Sequence, residues 1–223
     1  MKFIVFGASG ATGKSLIEQA LAQGHQVVAF VRNPAKVTTT HDSLQVAQGD
    51  IFDVESIKQA MKGCDAALST LGTDTLNNVN IYSESAKAIL AAMDACKVRR
   101  LVYITSANVP EGIQRSAFED ELRNGYLRDA YADMRRAEAE IMQSDVDWTI
   151  VRPGGYTDEA YTSPYRVDMN SLPGDANFVS RADIAAFMLQ CLKDAQYVHT
   201  APFVGAIQAT PPQWTPDAQW KTS

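Results

Sequence analysis

Short runs of β-branched and aromatic residues alternate along this chain with longer segments whose apolar positions recur at helical spacing. That is the rhythm of strands buried on both faces and joined by covering helices. It predicts strands over Phe3–Phe6, Gln26–Val31, Leu44–Ala47, Ala66–Thr70, Arg100–Thr105, Trp148–Val151 and Val198–Val204. Helices are predicted over 12–23, 54–61, 79–96, 128–143 and 182–193. In the third of these Tyr82, Ala86, Ile89, Leu90 and Met93 share one face. Ser180, with Asp183 in the first turn after it, reads as the N-cap of the last. The fold class is α/β: a Rossmann-type doubly wound parallel sheet with helices on both faces, three layers in a single domain over residues 1–210.

Two segments break the rhythm. Residues 107–127 are polar and carry Pro110 and Gly112; residues 155–178 are rich in Gly, Pro, Tyr, Asn and Asp. Both leave the carboxyl end of a strand, where open parallel sheets bind ligands, so both are expected to wall a substrate site. Residues 211–223 form a polar tail with Trp214 and Trp220.

Composition narrows the class. The chain has 223 residues, 46% of them apolar, which is enough for one core. Its net charge of −6 offers no electrostatic footprint for nucleic acid or an anionic membrane. Cys64, Cys96 and Cys191 are odd in number and widely spaced, as are His25, His41 and His199, so no metal site or disulfide framework is expected. The chain begins directly in a strand-like run and holds no apolar stretch of spanning length, so a cytoplasmic location and no membrane partner are expected.

The strongest chemical signal is Gly7-Ala8-Ser9-Gly10-Ala11-Thr12-Gly13, placed where the first strand ends and the first helix begins. Gly7 permits a tight turn, Gly10 lets the backbone approach a pyrophosphate, and Gly13 lets helix and strand pack closely. The helix start then offers free N–H groups to phosphate oxygens. Gly13-Lys14-Ser15 imitates the end of a P-loop, but that motif needs a glycine where this chain has Ala8. At the end of the second strand stands Arg32 and no carboxylate; a guanidinium there suits a ribose 2′-phosphate, so NADP(H) is preferred over NAD(H). Asp50 and Ile51 after the third strand, and Leu71, Gly72 and Thr73 after the fourth, are further cofactor candidates. Ser106 ends the fifth strand, where a hydroxyl can bind a substrate carbonyl or the nicotinamide amide.

With these residues in place, the chain resembles the atypical short-chain dehydrogenase/reductase superfamily in its single-domain, NmrA-like branch, and within it the flavin reductase/biliverdin-IXβ reductase family. The similarity extends to about residue 204. It rests on the glycine loop at 7–13, Val31-Arg32, Gly49-Asp50, Leu71-Gly72-Thr73, residues 83–86, Thr105-Ser106-Ala107, the run Trp148 to Gly154, and Val179 to Leu189. The resemblance implies NADPH at the glycine loop and Arg32, and nicotinamide contacts near Thr105, Ser106 and the Pro153-Gly154 backbone.

The chain departs from the superfamily in two places. The usual acid is a tyrosine with a lysine one helical turn later; here the nearest version is Tyr131 followed by Arg135, and arginine cannot shuttle a proton. Biliverdin- and flavin-reducing members carry a histidine where this chain has Gly155. Tyr156, Tyr161 and Tyr165 are candidates to stack on a flat substrate. The leading expectation is an NADPH-dependent oxidoreductase acting on a small planar or carbonyl acceptor, flavin- or quinone-like, with Ser106 orienting it and Tyr131 or solvent supplying the proton. The alternatives are a non-catalytic redox sensor of the NmrA type and a nucleotide-sugar epimerase. A monomer or homodimer is expected.

Overall fold

The computed structural model describes residues 1–73, 75, 77–113, 115, 117–158, 165–172 and 178–206. Their elements run β1 (Lys2–Phe6), α1 (Ala11–Ala22), β2 (Gln26–Val31), β3 (Leu44–Gln48), α2 (Val54–Met61), β4 (Ala66–Ser69), α3 (Ile81–Cys96) and β5 (Arg100–Ile104). They continue through α4 (Ala117–Asn124), α5 (Arg128–Met142), β6 (Asp147–Pro153), β7 (Gly155–Thr157), β8 (Arg166–Asp168), β9 (Phe178–Ser180), α6 (Arg181–Lys193) and β10 (Phe203–Gly205).

Side-chain alternation in β1 explains the layering. Phe3 and Val5 join one buried cluster with Leu16 and Ile17 of α1 and Phe187 and Met188 of α6. Ile4 and Phe6 join the opposite cluster with Ile57 of α2, Ile89 of α3 and Ile141 of α5. A strand apolar from Phe3 to Phe6 is thereby buried on both sides. The sheet order is β3-β2-β1-β4-β5-β6-β10-β8; the first seven strands are parallel and β8 runs antiparallel along β10. The chain therefore reverses its direction of travel across the sheet between β1 and β4, the position at which such sheets bind dinucleotides.

The expected Rossmann-type sheet is present, and Asp53 and Ser180 cap α2 and α6 through Glu55 N–H and Asp183 N–H. The Ser180 hydroxyl also donates to the Asp183 carboxylate, tying the cap to the first turn of α6. Three differences have local causes. The strand expected over Val198–Val204 is regular only from Phe203 to Gly205. His199 sits at φ 55°, and Pro202 has no N–H to give, so 199–202 runs beside β6 with isolated bonds. The segment 107–127 contains α4. Residues 155–180 contain β7, β8 and β9, with β7 and β9 forming a separate parallel pair. The tail 211–223, with Trp214 and Trp220, lies outside the described residues, as does Tyr161.

Burial pushes the Cys64 thiol up to about 11 and the Cys191 thiol up to about 12, so both are inert packing groups. Among the described residues no helix is long and apolar enough to cross a membrane.

Candidate active site at the carboxyl rim of the sheet

The parallel sheet lines up the carboxyl ends of β3, β2, β1, β4, β5 and β6 in one row. The glycine loop, Arg32, Asp50, Gly72 and Ser106 follow strands of that row, and Tyr131 lies on α5.

Gly7 turns the chain out of β1 at φ +76°. A Cβ on it would lie 2.6 Å from the Thr70 carbonyl oxygen, so only glycine fits between the turn and β4. Gly13 is tighter still: its Cβ would meet the Gly7 carbonyl oxygen at 2.2 Å. Gly10 is the N-cap of α1, its N–H donating to the Gly7 carbonyl at 3.0 Å. No side chain among the described residues caps this helix, and its first turn carries no acidic residue. Ser9 and Thr12 are half-buried and Ala11 exposed beside it. A cradle of free N–H groups at a helix start, with no side-chain bulk over it, fits a diphosphate. Lys14 points to solvent, consistent with the rejected P-loop reading.

Thr70 was not singled out in the sequence. Its hydroxyl donates to the Phe6 carbonyl at 3.1 Å and its N–H to the same oxygen at 2.9 Å, bracing the glycine turn against β4. Leu71 packs on the core below, Gly72 faces open space, and Thr73 is half-buried with its hydroxyl accepting from Thr75 N–H.

Arg32 is exposed immediately after β2, and its guanidinium makes no ion pair among the described residues. Asn33 next to it accepts from Ala35 N–H and so starts a single 3₁₀ turn over Pro34–Lys36. Gly49 carries the chain past the Phe30 ring, which a Cβ would meet at 2.4 Å. Asp50 is exposed and accepts from Phe52 N–H, while the Ile51 side chain turns inward into the core. Asp50 thus remains free to face a nucleotide on its other oxygen; Ile51 contributes packing.

At the far end of the row Ser106 follows β5, its Oγ accepting from Asn108 N–H at 3.3 Å. Tyr131 on α5 is 7% exposed. Burial raises the pKa of its phenol, against smaller opposing effects from the side chains of Asn108 and Ser106. The two groups picked as catalytic, far apart in sequence, therefore meet at one place. Arg135, which occupies the position of the superfamily's lysine, is bound to Glu111 at 2.8 Å, and Arg123 of α4 meets the same carboxylate at 2.6 Å. These contacts hold 107–113 over the Tyr131 face of α5, with Arg123 Nε also donating to the Asn108 carbonyl.

The Thr105 hydroxyl donates to Glu138 of α5 at 2.6 Å. Pro153 and Gly154 are fixed by backbone bonds to Ala107 and Val204. Tyr156 is half-buried, with the Arg181 guanidinium 5.0 Å from its ring centre, and Arg181 pairs with Asp158. Tyr165 lies elsewhere, edge-on to Phe187 with its hydroxyl on Gln190, so it packs on α6 and does not face the rim. Glu138 and Asp133 read in the sequence as ordinary helix-surface charges.

The chain is similar to known proteins in sequence and in fold. An oxidoreductase of Pestalotiopsis microspora is 27% identical over 93% of this chain and 85% of its own. Anaerobilin reductase from Escherichia coli O157:H7 superposes with a TM-score of 0.77 at 23% identity, covering 95% of this chain and all of the other. A short-chain dehydrogenase/reductase of Veillonella parvula, crystallised with NADP, superposes with a TM-score of 0.77 at 17% identity over 92% and 94% of the two chains. At these identities the structural likeness is one of fold. The profile of the NAD(P)H-binding family matches residues 7–195, from the first glycine of the loop to just past the end of α6. On that match the chain belongs to the NAD(P)H-binding family.

Proposed function

We propose that this protein is an NADPH-dependent reductase that acts on a small planar or carbonyl acceptor at the β5–β6 end of the rim. The observation that carries the reading is the meeting of Ser106 and a buried, protonated Tyr131 at the carboxyl end of β5. The dinucleotide, when bound, supplies the hydride. Gly7, Gly10 and Gly13 leave room for its pyrophosphate, and Arg32 stands where a 2′-phosphate would be met. That the Veillonella parvula protein was crystallised with NADP supports the same choice of cofactor. The Ser106 hydroxyl orients the acceptor oxygen or nitrogen, and the Tyr131 phenol gives it a proton.

Burial raises the Tyr131 pKa, so the phenol stays protonated throughout the neutral range; it can give a proton there, as a weaker acid than an exposed tyrosine. An acid must be protonated to act, so reduction should be insensitive to pH near neutrality. It should fall only as pH rises into the alkaline range, through the elevated pKa of the phenol.

The test is to titrate NADPH and NADH by fluorescence, then to follow oxidation of NADPH with FMN, FAD and a panel of quinones. Turnover with at least one acceptor, lowered about 100-fold in Tyr131→Phe with cofactor binding retained, supports the reading. Tight NADPH binding with no turnover on any acceptor would favour the sensor alternative, to which the engagement of Arg135 by Glu111 lends some weight.

A further inference from the structure

Three buried polar assemblies stand behind the rim. One is Arg100, which bonds the Leu101, Asp147 and Cys191 carbonyls at the amino end of the sheet and is too far from the rim to act there. A second is Asp133 of α5, which accepts from Tyr82 N–H, Ser83 N–H and the Ser83 hydroxyl and so caps the start of α3. The third touches three parts of the proposed site at once. Glu138, 5% exposed, takes Arg152 in two contacts, Nε to Oε1 at 3.1 Å and Nη2 to Oε2 at 2.6 Å, and takes the Thr105 hydroxyl on Oε1 at 2.6 Å.

Each partner lies next to a residue of the rim. Thr105 precedes Ser106 at the end of β5, and Arg152 precedes Pro153-Gly154 at the end of β6. Glu138 is on the same helix as Tyr131, about two turns later and on the same side, since Tyr131, Glu138 and Ile141 are all buried along one face. Arg152 is further held by the Phe203 ring of β10, 5.5 Å from its guanidinium carbon.

We propose that Glu138 is a positioning residue: its carboxylate fixes α5 to the ends of β5 and β6 and thereby sets the Tyr131 phenol against Ser106. The inference rests on the reductase reading for its consequence, though not for its geometry. Packing alone does not require the ion pair. An apolar pair of similar volume is often as stable as a buried salt bridge, because desolvation offsets most of the attraction. What the carboxylate adds is direction. A two-point contact to a planar guanidinium and a third bond to a hydroxyl allow one orientation of the helix, whereas methyl groups allow sliding. A displacement of about 1 Å between reacting groups can lower a rate about 100-fold, so small sliding matters here.

The test uses the full chain with Glu138→Leu and Arg152→Met combined, which leaves no unpaired charge, and Thr105→Val, which removes one hydroxyl alone. Tyrosine is labelled with ¹³C at Cζ, and the Tyr131 signal is assigned by its absence in Tyr131→Phe. The expected result is a thermal midpoint near that of the parent and NADPH affinity within about two-fold, with a shifted Tyr131 titration. On any acceptor the parent reduces, kcat should fall about ten-fold or more with KM little changed, and Thr105→Val should show the same effects in smaller measure. An unchanged Tyr131 titration in the double variant overturns the proposal, as does an unchanged kcat. If the parent reduces no acceptor, the reductase reading fails by itself, and the tyrosine titration still decides whether Glu138 positions the phenol.

Discussion

The glycines of the first loop are interchangeable in sequence but not in space. Gly7 needs a positive φ and a gap beside Thr70, whereas Gly13 needs only the gap, and it is the narrower one. Gly13→Ala should therefore push α1 off the turn, lowering the thermal midpoint by roughly 5–10 °C and removing NADPH binding. Differential scanning fluorimetry with and without cofactor checks both. Arg32→Asp should leave stability unchanged because the side chain is exposed and unpaired among the described residues. It should weaken NADPH by about 10- to 100-fold and NADH little, since only NADPH carries the phosphate. Equal loss of both cofactors would remove the assignment. His25 carries a different consequence. It is buried beside the Phe3 ring, and burial first, then the N-terminal amine and Lys193, lower its pKa. The folded chain thus binds the proton less readily than the unfolded one. Stability is full above the unfolded value of about 6.5 and is lost as pH falls from there through the lowered folded value. In His25→Leu the urea midpoint should change less between about pH 7.5 and pH 5 than in the parent.

Among the elements, those with a strong period were legible before any coordinates. β2 and α2 have the bounds the pattern gave, because a strand buried on both faces and a capped amphipathic helix declare themselves locally. α4 was not legible: its charges, with Pro110 and Gly112 upstream, read as loop, and its stabilising contacts are made by Arg123 to residues distant in sequence. β7, β8 and β9 are each three residues long, too short for alternation to show. α5 was found, but its two buried carboxylates were not. In sequence Asp133 and Glu138 belong to a charged helix surface. Only the packing of that helix against α3 on one side and β5–β6 on the other reveals that they point inward. Asp133→Ala should accordingly leave the start of α3 with unsatisfied donors and lower the unfolding free energy by about 2–4 kcal/mol, measured by urea denaturation. A loss below about 0.5 kcal/mol would mean that solvent replaces the carboxylate there.

For the molecule as a whole, the site is written along one edge in the order of the sheet and not of the chain. Thr70 and Gly7, in contact, immediately follow β4 and β1, which are separated in the chain by β2, β3 and two α-helices. The turn that would receive the diphosphate is therefore complete only once β4 has slid in beside β1. Before that event no fragment from the amino terminus owns a finished cradle, however many glycines it contains. A nucleotide in the medium would then act as an inspector of late assembly, holding the chain only after its middle has closed and leaving earlier, partly gathered forms untouched. Its stabilising effect should grow with the logarithm of its concentration. Pulling β4 away from β1 should abolish that response.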